Sequence, residues 1–183
     1  MGDPFEGGWV WSRTDDWVIA VTSPSCVGYL RTEVRRLSRS TARRLAELGS
    51  DRPPPSWYPD LRVIVHARAE RRYGSGAHWD APDVEIEALR AMAWQYGLVA
   101  EVLPHVGGVI ELPSHHHEGA LLALLSDLRE VLPRQADRAQ VDRPDHHQLD
   151  AYVRVNYAIS HDFGVALKAW HANSTAAADP PAG

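Results

Sequence analysis

Three consecutive prolines, Pro53, Pro54 and Pro55, with Pro59 close behind, restrict the fold of this chain more than any other feature. Proline lacks the N–H that a helix interior or central strand needs, and it holds φ at about −65°. Residues 52–59 therefore read as an extended polyproline II connector running along a domain edge, with Trp57 and Tyr58 packing down. The connector does not divide two domains, because the roughly fifty residues before it are too few to bury a core alone. The expected organisation is a flexible lead at residues 1–8, one domain over 9–172 and a disordered tail at 173–183.

The 183 residues are enough for a core without disulfide or metal staples. Apolar residues make up 44% and charged residues 23%, a globular balance rather than a disordered one. The single cysteine, Cys26, excludes an intramolecular disulfide and a multi-cysteine metal site, and reads as a buried small hydrophobe. The net charge of −5 gives no general attraction to nucleic acid or an anionic membrane. That charge is uneven. Residues 1–75 carry 12 basic and 9 acidic side chains, whereas residues 76–183 carry 7 and 15. With no basic-then-apolar leader and no apolar run long enough to cross a bilayer, the expected location is the cytoplasm.

Residues 9–13 and 17–22, broken at Thr14-Asp15-Asp16, read as a first hairpin. Ser23-Pro24-Ser25 opens a helix over about 26–48, whose Leu30, Val34, Leu37, Thr41, Leu45 and Leu48 form one apolar stripe. Leu61 to Ala69 alternates and reads as a strand. Asp80 and Pro82 start a helix that Gly97 ends after Tyr96, with Ile86, Leu89, Ala93 and Tyr96 inward. Residues 98–103 and 109–112 form a second hairpin. Ser114 caps a helix over about 115–131 with a leucine face, and residues 133–145 resemble a linker. Residues 146–171 fit a helical stripe or a strand alternation, and length favours the helix. Together these predict an α+β single domain: a mixed sheet of about five strands, with two hairpins and a βαβ crossover, packed by three to four helices.

The preferred ligand site is the stretch Arg71, Arg72, Tyr73, Gly74, Ser75, Gly76, His78 and Trp79, between a strand end and a helix start. Its glycines allow close backbone approach, its arginines offer guanidinium forks, and a following helix N-terminus would attract an anion. The glycine spacing is not that of a nucleotide-binding loop, so an ordinary flexible turn is the competing interpretation.

His115, His116 and His117 are the second candidate. Neighbours on a helix point about 100° apart, so at most two could share one ion, and zinc would need ligands from elsewhere, such as His66, His78 or His105. Surface histidines at a helix start are the simpler reading. His146 and Asp150 could pair across one helical turn. Arg31, Arg35, Arg39 and Arg43 recur at intervals of four, with Arg36 and Arg44 beside them, and form a basic ridge suited to an acidic partner surface, to the chain's own acidic second half, or to phosphates.

These features predict a small accessory or regulatory domain that binds a protein partner or a small acidic ligand, with homodimerisation expected and no membrane partner. No cofactor is expected. The alternative is a small enzyme with a cleft formed by Arg72, Tyr73, His78 and His117, possibly metal-dependent. Weak nucleic-acid binding through the arginine helix ranks third, because no reading element accompanies the ridge.

Overall fold

The computed structural model describes residues 10–13, 17–48, 59–76 and 81–142. Its elements are β1 (Val10–Arg13), β2 (Val18–Val21), α1 (Pro24–Glu47), α2 (Pro59–Tyr73), α3 (Pro82–Val102), β3 (Val109–Leu112) and α4 (His115–Asp142). The polyproline connector, the N-terminal lead, the tail and the 146–171 segment lie outside the described residues.

Helices dominate. Among the described residues, the expected five-stranded mixed sheet is replaced by one small antiparallel sheet in the order β1-β2-β3. The first hairpin sets Val10 opposite Val21 and Arg13 opposite Val18. After three helices the chain returns, and β3 lies along the other side of β2 with Val21 opposite Val109. No βαβ crossover exists among the described residues, since all strand pairs are antiparallel.

The α1 boundary follows its local chemistry. Ser23 Oγ accepts the Cys26 backbone N–H at 3.1 Å, and Pro24 supplies the preset φ of a first helical position. Cys26, Val27, Leu30, Val34 and Leu37 are all buried along one stripe. Full burial of each large apolar side chain contributes about 1.5–3 kcal/mol, enough to order a helix whose other face is arginine-rich.

Residues 61–69, expected as a strand, are helical. The alternating set and the helical set share Leu61, Val65 and Ala69, so periodicity alone does not separate them. Burial does: Ile64 is inside with those three, and Val63 is only half-buried. The β-branched run costs a helix about 0.5 kcal/mol per residue, less than the burial of Ile64 and Val65 returns. Pro59 at the start, Asp60 in the first turn and Arg71 and Arg72 in the last are helix-end signals that agree.

The second hairpin is also overturned. α3 continues through Gly97 to Val102, so residues 98–102 are helix, and β3 finds its partner in β2. Leu89, Met92, Tyr96 and Val99 are buried at helical spacing, whereas Ala93, expected inward, is exposed. Packing across Gly97 outweighs the loss of about 1 kcal/mol that a helical glycine brings. A Cβ at Gly97 would meet nothing within 4 Å. Gly97→Ala is therefore expected to stabilise the chain by about 0.5–1 kcal/mol, read as a higher urea midpoint with an unchanged m-value. α4 likewise runs beyond residue 131 into the stretch expected to be a linker, ending at Asp142.

α3 is the central helix, packed against α1 on one side and α4 on another, with α2 lying across α3 and α4. Ala20, Ile110 and Leu112 face this core from the sheet, joined by Leu121, Leu124, Leu125 and Leu128 of α4. No helix among the described residues is long and apolar enough to cross a membrane.

Candidate functional site

The last turns of α2 meet the middle of α3 and α4 around Asp127, whose side chain has no solvent exposure. Arg68 Nε lies 3.0 and 3.2 Å from the two Asp127 carboxylate oxygens, and its terminal nitrogen donates to Oδ2 at 2.5 Å. The Tyr96 hydroxyl donates to the same Oδ2 at 2.9 Å, and Arg68 spends a further N–H on Gln95 Oε1 at 2.7 Å. Burial pushes the Asp127 carboxyl above its usual range while these donors pull against it. The two-oxygen contact with Arg68 is that of a carboxylate. Burial opposes the charge on Arg68, but the hydrogen bonds and charge of Asp127 outweigh it and raise the guanidinium pKa. Tyr96 is held neutral as a donor, because burial and the adjacent carboxylate drive its pKa well upward.

Beside this cluster opens a cleft of about 450 Å³. Arg68, Arg71, Arg72 and Tyr73 of α2 line one side. Glu87 and Gln95 of α3 and Ser126 of α4 add polar groups, and Val84, Ala88, Ala91, Leu122 and Ala123 supply an apolar wall. Small residues at 88, 91 and 123 are what leave the space between the helices.

The cleft's arginines differ in engagement. Arg68 is committed to Asp127 and Gln95. Arg71 reaches Asp127 Oδ1 and Glu130 Oε1 only at 3.5 Å each, with 46% of its side chain exposed. Arg72 pairs with Glu87 Oε1 at 2.5 Å, and the Tyr73 hydroxyl donates to the other Glu87 oxygen. The chain then turns away through Gly74, Ser75 and Gly76, all exposed, with both glycines at positive φ (89° and 104°).

Of the expected ligand residues, Arg71, Arg72 and Tyr73 thus line one cleft, as the last turn of a helix rather than a loop after a strand. Gly74, Ser75 and Gly76 lie just outside it, and His78 and Trp79 lie outside the described residues. His117, placed with Arg72 and Tyr73 in the enzyme alternative, does not line the cleft. Arg68, Glu87 and Asp127 were missed. Asp127 carried a legible signal, an acid within the leucine stripe of α4, three residues after Leu124 and four before Val131.

The three histidines take three separate partners. His115 Nδ1 lies 3.3 Å from Glu118 Oε2, and His117 Nδ1 lies 2.8 Å from Ser114 Oγ, its Nε2 being 3.8 Å from Glu101. The His116 ring meets Trp94 edge-on, with centroids 5.7 Å apart. His66 has moved with its segment onto α2, 3.6 Å from Glu70, and His105 is held by Arg31. No three His, Cys, Asp or Glu side chains among the described residues are grouped to hold a metal ion.

The arginine ridge is partly spent within the fold. Arg31 donates to the His105 carbonyl at 2.8 Å. Arg36 bridges Glu33 and Asp60, tying α1 to α2, and Arg44 grips both oxygens of Glu85 at 2.6 and 2.8 Å, tying α1 to α3. Arg43 pairs along its own helix with Glu47. Arg35 and Arg39 are exposed, and no ion pair joins either to a described residue.

The fold and cleft together define a mainly helical domain with an arginine-rimmed, partly apolar cavity. Against protein-family models, curated proteins and solved structures, the chain matches none.

Proposed function

We propose that this chain is a small cytoplasmic accessory or regulatory domain that binds a small acidic ligand in the cleft between α2, α3 and α4. The observation that carries this reading is Arg71. Its guanidinium stands at the cleft with only two long contacts, leaving N–H donors for an incoming anion, beside an apolar wall that would cover the rest of a small molecule. An enzymatic reading has less support, since no imidazole of a described residue lines the cleft.

The expected result is that at least one anion among acetate, benzoate, citrate and inorganic phosphate, at millimolar concentration and constant ionic strength, raises the melting temperature of the parent protein. Arg71→Met should lose that increase. If no anion raises it, or if Arg71→Met responds as the parent does, the proposal fails.

Arg35 and Arg39 favour a second reading, a protein partner with an acidic surface. They stand one turn apart and exposed, while their neighbours on the ridge are engaged. The same internal engagement leaves few cations for a phosphate backbone and weighs against nucleic acid.

A further inference from the structure

We infer that the cleft recognises a monocarboxylate with an apolar body, and that Glu87 is an internal stand-in which this ligand displaces from Arg72 and Tyr73. The inference rests on reading the cleft as an anion site and adds the ligand class and a built-in competitor.

Arg72 and Tyr73, adjacent at the end of α2, already hold a carboxylate between them. A terminal guanidinium nitrogen of Arg72 pairs with Glu87 Oε1 at 2.5 Å, while Oε2 accepts the Tyr73 hydroxyl. One oxygen meets the guanidinium charge and the other the phenol hydrogen bond, a two-point hold on a carboxylate. The Glu87 hydrogen bond also raises the pKa of the Tyr73 phenol, so this group stays a neutral donor. All three side chains are open to solvent, with Arg72 64% and Glu87 45% exposed. Exposed pairs of this kind hold weakly, and a competing carboxylate can exchange with Glu87.

Charge favours a ligand of low negative charge, because three arginines already face three carboxylates. Arg68 is matched by buried Asp127 and Arg72 by Glu87, so among the described residues Arg71 is the one cleft cation facing its carboxylates, Asp127 and Glu130, only at 3.5 Å. A dianion would meet Glu87 and Glu130 without further cations to offset them. Val84, Ala88 and Leu122 then offer contact to an apolar body beyond the carboxylate.

The test is calorimetric titration of the full chain at pH 7 with benzoate, octanoate, acetate and inorganic phosphate. Benzoate or octanoate should bind one to one and more tightly than acetate or phosphate. Glu87→Gln should tighten that binding about fivefold, the upper range for releasing an exposed pair. Glu87→Ala should repeat the gain, and adding Tyr73→Phe should remove it. Unchanged or weaker binding in both Glu87 variants would overturn the inference. Phosphate binding that exceeds every monocarboxylate and disappears in Arg71→Met would overturn it too, leaving the broader anion site intact. Failure of all four anions to bind would remove both.

Discussion

Asp127→Ala is expected to lower the unfolding free energy by about 3–5 kcal/mol, because it strands a guanidinium and a phenol in the interior. Arg68 loses its contacts to both carboxylate oxygens, and the Tyr96 hydroxyl loses its acceptor. For a domain whose whole stability is about 5–15 kcal/mol, that loss brings unfolding near working temperature. Urea denaturation and a melting point lowered by about 10 °C would register it. The cost belongs to breaking the pair more than to lacking it. Removing both charges in Arg68→Met/Asp127→Leu should recover most of the lost stability, because apolar side chains of similar size fill the space without a desolvated ion. Burial pushes the Asp127 carboxyl upward, a desolvation cost on its charge that an apolar side chain does not carry. A double variant as unstable as Asp127→Ala would show that the pair itself is needed.

Gly108→Ala is expected to cost about 3 kcal/mol, through overpacking at the entry to β3. A Cβ there would sit 1.7 Å from the Thr22 carbonyl oxygen and 2.8 Å from its carbon. Both are backbone atoms that no rotamer change can move aside. The approach is close because the Thr22 N–H donates to the Gly108 carbonyl at 2.7 Å, extending the β2–β3 pairing by one more bond. The methyl must therefore push the strands apart. Amide hydrogen exchange should show lost protection at Ile19 to Thr22 while α3 amides change little by comparison. The same substitution at Gly97, where a Cβ meets open space, carries the opposite expected sign. A Gly108→Ala protein with parental stability and parental exchange in β2 would contradict the packing described.

The cleft was half legible. Arg71, Arg72 and Tyr73 stood out because two guanidinium groups and a phenol beside glycines are a recognisable ligand pattern. Their partner Glu87 is fourteen residues from Tyr73 along the chain, and Arg68 finds Asp127 fifty-nine residues away. No local pattern encodes such pairings. The histidine tract was conspicuous in sequence, yet its three rings diverge to separate partners.

Local chemistry in the chain determined the start of α1, through the Ser23 cap and Pro24, the leucine face of α4, and the first hairpin. In each, one periodicity stood without a competitor. Tertiary structure decided α2, where the alternating and helical patterns coincide at Leu61, Val65 and Ala69, and burial of Ile64 breaks the tie. It also decided that α3 passes through Gly97, because core contacts at Val99 and beyond exceed what one glycine costs. The cleft itself belongs wholly to that level: three helices must pack before Ala88, Ala91 and Ala123 leave a space and Arg71 stands at its edge.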